Sequence, residues 1–111
     1  HLKQGTGESS EVIRERVVEA GEIQRRRYRG KGFRFNAEIP AADIGRYCRL
    51  DPETELMVSQ AFQRLGLTVR SYHKILKVAR TIADLDGQKD IKAYHLQEAI
   101  GYRMADKKYW G

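Results

Sequence analysis

The chain holds 111 residues, 41% of them hydrophobic, with only ten Gly and two Pro. That is one ordered domain with a single modest core, too short for a complete nucleotide-hydrolysing motor, a Rossmann enzyme with a substrate domain, or a TIM barrel. Twenty-one Lys and Arg against fifteen Asp and Glu give +6, a balance that suits nucleic acid or nucleotide phosphate, although many surface helices are as basic without such a partner.

The chain opens on His1-Leu2-Lys3-Gln4-Gly5-Thr6-Gly7 with no initiator Met. It is therefore expected to be a piece of a longer protein, with residues 1–8 a flexible lead-in and 9–111 one helical domain. Ser9 or Ser10 can cap a helix. Val12, Ile13, Val17, Ala20 and Ile23 recur at helical spacing after it, predicting a helix over about 10–28 with these residues inward. Gly21 weakens its middle by about 1 kcal/mol relative to Ala. The glycines of Arg29-Gly30-Lys31-Gly32 break the helix, and Phe33 and Phe35 alternate about Arg34 as in a short extended stretch. Pro40 sits near the start of a short helix over about 41–49, with Ile44, Tyr47 and Cys48 on one face.

Asp51 and Pro52 give a cap and a first helical residue, and Glu53 and Glu55 suit the positive end of the helix dipole. Leu56, Met57, Phe62 and Leu65 carry the apolar side of this helix, flanked by Val58 and Ala61, and Gly66 ends it. Thr68 caps the next helix, where Tyr72, Ile75, Leu76, Ala79, Ile82 and Ala83 make an unbroken stripe. Gly87 stops it. A last helix follows Asp90, with Ala93, Leu96, Ala99, Ile100 and Met104 inside. The expected fold is all-α, a small bundle of about five helices with at most one residual strand pair.

Catalytic chemistry is sparse. Gly30-Lys31-Gly32 lacks the spacing of a phosphate loop and the helix that should follow it. No Ser-His-Asp arrangement with a nucleophile elbow is present. The single cysteine, Cys48, reads as a buried structural thiol and excludes an intrachain disulfide. One Cys and three scattered His cannot close a zinc site, so no metal site is expected in this domain. His73 and His95 read as solvated or packed at helix edges, and Glu53 and Glu55 as partners of the helix dipole. No apolar run approaches the ~18 residues of a membrane span and no signal peptide is visible, so a cytoplasmic location without membrane contact is expected.

Two constellations stand out. From Arg14 to Arg34 there are eight basic and three acidic residues, so this segment holds +5 of the +6. Arg25, Arg26, Arg27, Arg29, Lys31 and Arg34, interleaved with Tyr28, Phe33 and Phe35, can grip phosphates and stack on bases. The same residues also read as a solvated helix end whose cations complement the dipole, with the two Phe anchoring a loop. The second constellation is Arg70, a cation in the first turn of a capped helix. The dipole disfavours it there, but an anion would be held by the guanidinium and the free backbone amides together.

The series Leu65-Gly66-Leu67-Thr68-Val69-Arg70-Ser71-Tyr72-His73-Lys74-Ile75-Leu76-Lys77-Val78-Ala79-Arg80-Thr81-Ile82-Ala83-Asp84-Leu85 closely resembles the C-terminal domain of magnesium-chelatase-like AAA+ ATPases of the ComM/YifB type. The resemblance extends back through Tyr47-Cys48-Arg49-Leu50-Asp51, Asn36-Ala37-Glu38-Ile39 and Gly7-Glu8-Ser9-Ser10, and forward to His95-Leu96-Gln97-Glu98-Ala99-Ile100, covering about 7–105. It implies a helical lid that closes over ATP and Mg2+ held by an N-terminal AAA+ core of the same chain. It places the sensor-2 arginine, which reaches the γ-phosphate, at Arg70. It further implies a ring of subunits, hexameric, acting in DNA processing, with no catalysis by this domain alone. Ala20-Gly21 departs from the Ala-Arg expected of the family, so no contact of that arginine carries over. The alternatives are a small basic module that binds nucleic acid directly through 25–35, and a helical interaction domain whose charges serve solubility alone.

Overall fold

In the computed structural model, residues 9–105 are described, with side chains through Tyr102. The 1–8 lead-in and the inward placement of Met104 lie outside what is described. Five α-helices follow in order: α1 (Ser10–Arg27), α2 (Ile44–Tyr47), α3 (Pro52–Leu65), α4 (Val69–Leu85) and α5 (Ala93–Ala105). Two 3-10 turns, Asn36–Glu38 and Ala41–Asp43, stand between α1 and α2. No strand forms among the described residues, and the segment around Phe33 and Phe35 is an irregular loop. The short helix expected over 41–49 is a 3-10 turn that runs into the single turn of α2.

The helix boundaries follow local chemistry. The Ser9 hydroxyl accepts from the Val12 amide at 3.1 Å, Asp51 from Thr54 at 2.7 Å and Thr68 from Ser71 at 3.0 Å, each satisfying a donor that the first helical turn leaves unpaired. Gly66 ends α3 in the left-handed region at φ 63°, and Gly87 follows α4 at φ 70°. A side chain at either glycine would be strained there. The last helix begins at Ala93, three residues after Asp90, because Ile91 is drawn into the core at 2% exposure.

α4 is the spine. It packs on α5, α1, α2 and the Asn36–Glu38 turn, and Ile75, Ala79 and Ala83 on it are fully enclosed. Burying a side chain such as Ile75 or Leu96 contributes about 1.5–3 kcal/mol. Two apolar faces differ in part from expectation. On α3, Met57 and Phe62 pack against the core as expected and Thr54, Val58 and Ala61 are buried, while Leu56 and Leu65 are exposed, Leu56 at 61%. Thr54, Val58 and Ala61 form an i, i+4, i+7 line on the inner side of α3. On α1, Val12, Ile13 and Val17 are exposed and only Ala20, Gln24 and the capping Tyr28 are buried. Among the described residues, none covers these three side chains, although they keep the helical period.

Between α1 and α4 lies a buried polar network. Arg27 donates to both oxygens of Asp84, at 2.8 and 2.7 Å, and Asp84 is almost wholly enclosed. Arg80, one turn earlier on α4, forms an ion pair with the same carboxylate at 3.2 Å and donates to the Gln88 carbonyl at 3.1 Å. Asn36 is saturated. Its side-chain oxygen accepts from Arg27 and from the Tyr28 hydroxyl, its amide group donates to Thr81 and Asp84, and its backbone amide donates to Gln24. Burial alone would lower the basicity of Arg27, but Asp84 outweighs it and holds the guanidinium above its ordinary value. Burial dominates at Arg80, which lies below its ordinary value. Burial also raises the Tyr28 hydroxyl to about 12, so it remains a donor.

His95 is not at a solvated edge. It is fully buried, and its Nδ1 accepts from the Lys92 amide at 2.8 Å. Nε2 then carries the proton and donates to Asp86 at 3.0 Å. The ring does at the start of α5 what a capping-box Glu or Gln does elsewhere. Loss of solvation, with repulsion from Arg80, lowers its pKa below the ordinary histidine value.

Three outcomes follow from this packing. Asp84→Ala leaves two buried guanidiniums without their carboxylate and is expected to cost about 3–5 kcal/mol in urea unfolding, whereas Arg26→Ala, next to Arg27 but exposed, should stay within about 0.5 kcal/mol. Because the folded pKa of His95 is depressed, its contribution is complete above the unfolded value near 6.5 and declines as pH falls toward the folded value. The thermal midpoint should therefore drop between about pH 7.5 and 5.5, and His95→Ala should flatten that drop. A Cβ at Gly21 meets nothing within 4 Å, so Gly21→Ala should raise stability by about 0.5–1 kcal/mol in the same unfolding assay.

Candidate functional site

Gly66 turns the chain out of α3, the Leu67 amide donates back to the Phe62 carbonyl at 3.1 Å, and buried Leu67 pins the turn. Thr68 then caps α4. This fixes where α4 starts and therefore where Arg70, its second residue, projects. Arg70 is exposed, as is Val69 before it. Among the described residues Arg70 makes no hydrogen bond or ion pair, unlike Arg27 and Arg80 of the interior. His73, Lys74 and Lys77 follow it at i+3, i+4 and i+7 along one face of α4. Lys77 is already engaged, donating to the Ala37 carbonyl at 3.2 Å.

Beside these first turns of α4 a cleft of about 400 Å³ opens toward α2. His73, Arg49 and Glu55 line it, over Ile44, Cys48 and Leu76. Tyr72 is held edge-on against Phe62 at 5.2 Å. Burial pushes the Cys48 thiol up to about 11, which leaves it protonated and inert at neutral pH. Among the described residues no group of three or more His, Cys, Asp or Glu is placed to hold a metal ion, and no helix is long and apolar enough to cross a membrane. The local chemistry is that of a cationic helix start able to receive an anion.

The basic segment separates into two groups. Arg27 does not belong to the exposed face: its guanidinium is committed to Asp84 and Asn36. Arg25, Arg26, Arg29, Lys31 and Arg34 are exposed, with Arg25 in a loose 3.9 Å pair with Glu22. The two Phe also differ. Phe33 packs on Tyr28 and Tyr47, with ring centroids at 4.8 and 6.0 Å, while Phe35 is 50% exposed. The interior polar network is nearly invisible in the sequence. Its one sequence signal is the Arg80–Asp84 pair at i, i+4, flanked by the buried stripe at Ala79 and Ala83.

Residues 7–103 match the family described as magnesium chelatase, subunit ChlI C-terminal. The chain is 46% identical over 97 residues to competence protein ComM of Haemophilus influenzae, covering 87% of this chain and 18% of that protein. It is 39% identical over 101 residues to the uncharacterised protein YifB of Escherichia coli, covering 91% of this chain and 19% of the relative. An uncharacterised protein of Mycobacterium tuberculosis is 33% identical over 98 residues, covering 88% and 20%. The chain thus spans about a fifth of the length of the curated relatives it matches. With nearly its whole described length inside the matched region, this helical domain belongs to the magnesium chelatase subunit ChlI C-terminal family, in the form found in ComM- and YifB-like proteins.

Proposed function

We propose that this domain is the lid of a magnesium-chelatase-like AAA+ ATPase and that Arg70 is its sensor-2 arginine. The observation that carries the reading is the exposed Arg70 guanidinium in the first turn of a capped helix. A cation there is opposed by the helix dipole by about 0.3–1 kcal/mol, and a bound phosphate would reverse the sign of that term. The planar fork of donors suits a γ-phosphate oxygen pair better than an ammonium does. The domain brings no phosphate loop of its own, so the parent chain's N-terminal core would hold ATP and Mg2+. This domain's part is to close over the nucleotide, place Arg70 against the charge that builds on the transferring phosphoryl group, and exclude water.

The small share of the relatives that this chain covers supports such a core in the same polypeptide. A ring of subunits, hexameric, that turns ATP hydrolysis into mechanical work completes the reading. The name of the Haemophilus influenzae relative, competence protein, supports DNA processing as the work the parent performs.

The test is steady-state ATP hydrolysis by the full-length parent. Arg70→Ala should lower kcat by about 10-fold or more, since an arginine on a transferring phosphoryl is worth several kcal/mol of barrier. Arg70→Lys should recover little of it, and Lys74→Ala should have a smaller effect. Circular dichroism of the domain should show an unchanged fold, because an exposed first-turn Arg costs little to remove. Wild-type hydrolysis by Arg70→Ala would make Arg70 an ordinary surface residue.

A further inference from the structure

We propose that the last turn of α1 and the loop after it form a contact surface for single-stranded nucleic acid, in which Arg25, Arg26, Arg29, Lys31 and Arg34 take phosphates and Phe35 stacks on a base. This stands apart from the lid reading and uses none of the residues at the start of α4.

The loop is a fixed platform. The Lys31 amide donates to the Tyr28 carbonyl at 2.9 Å, and Gly30 supplies the left-handed turn at φ 77°. Phe33 is the anchor, locked into the aromatic cluster with Tyr28 and Tyr47. Beyond it, Glu38 accepts from the Arg34 and Phe35 amides at 2.8 and 3.2 Å, and those bonds hold its carboxyl below the usual range. Glu38 therefore fixes the backbone of the loop. Arg27, which would otherwise be the sixth cation, is held inside by Asp84 and pins the end of α1 to α4.

On this platform five cations stand exposed, and Phe35 is half exposed with the Arg34 guanidinium 5.6 Å from its ring centre. A phenyl ring half in water with an arginine over it, on a loop whose other phenylalanine packs into the aromatic cluster, keeps exposed aromatic surface on which a further planar group can stack. Bases of a single strand offer such faces and phosphates at once. Duplex DNA keeps its bases stacked and would use the cations alone. A carboxylate-rich protein surface would likewise engage the charges and leave the ring without a partner. A loop ordered before binding also spares part of the entropy that a mobile basic tail would lose.

The probe is a labelled oligothymidylate of about 20 nucleotides, followed by fluorescence anisotropy from about 50 to 300 mM salt. Binding should weaken steeply with salt, and the triple variant Arg29→Ala/Lys31→Ala/Arg34→Ala should make the log–log slope shallower by about 2, at about 0.7 per lost phosphate contact. Phe35→Ala should weaken binding about 10-fold with the slope unchanged, because stacking releases no counterions. Circular dichroism checks that both variants fold, and Arg27 is left intact. No binding at the lowest salt overturns the proposal. So does binding that ignores both variants, and so does equal affinity for a matched duplex or for polyglutamate with Phe35→Ala silent.

Discussion

One carboxylate carries the joint between the ends of this fold. Asp84 is almost wholly enclosed and meets Arg27 from α1, Arg80 from its own helix and Asn36 from the turn between them. Two guanidiniums on one carboxylate leave a surplus positive charge in a region from which water is largely removed. Such a cluster is tolerable only while nearly every donor is placed. Here Asp84 accepts three hydrogen bonds and pairs with Arg80 besides, Asn36 is saturated, and the Nε of Arg80 is the buried side-chain atom left without a partner among the described residues. Remove the carboxylate and the remaining charges have no nearby compensation. The exit of α1, the turn at Asn36 and the far end of α4 are therefore determined together.

Much of the scaffold can be read locally. Ser9, Asp51 and Thr68 cap because their side chains reach amides two or three residues on, and Gly66 and Gly87 stop because only they adopt positive φ cheaply. These are short-range effects, so one stretch of sequence contains them. Which face is buried is a different kind of fact. On α3, Leu56 looks like core by its size, yet Val58 and Ala61 are inside and Leu56 is exposed, because which side of the helix meets the core is set by elements distant in sequence. On α1, Ile13 and Val17 have the right period but are exposed among the described residues. His95 reads as an edge residue in sequence because its two partners, the Lys92 amide and Asp86, meet it only once the chain has turned into α5.

The arginines show the same limit more sharply. Arg25, Arg26 and Arg27 are consecutive and indistinguishable by composition. Successive helical residues are turned by about 100°, so one of the three points to Asp84, 57 positions away, and the others point to solvent. The triplet reads as one basic patch in sequence and is two things in the fold. Arg70 could be singled out from sequence because its peculiarity is local: a cation at the wrong end of a helix dipole. On the proposed reading its partner is a phosphate held outside this domain.

α4 ties the two proposed contacts into one mechanical element. It runs from Val69 to Leu85 without a glycine or proline, so it has none of the usual points at which a helix kinks. Arg70 is near its first turn and Asp84 near its last. At 1.5 Å per residue the 14-residue separation places them about 21 Å apart. Asp84 clamps the end of α1 and the loop bearing Phe35 to the far end of the rod. If the near end follows a nucleotide phosphate, the rod has no internal hinge in which to absorb the displacement, and the basic loop must move with it as a rigid body. The buried ion network then matters beyond stability. A softer joint between α1 and α4 would let the loop lag behind the helix start, and the motion at Arg70 would not reach the exposed cations at the other end.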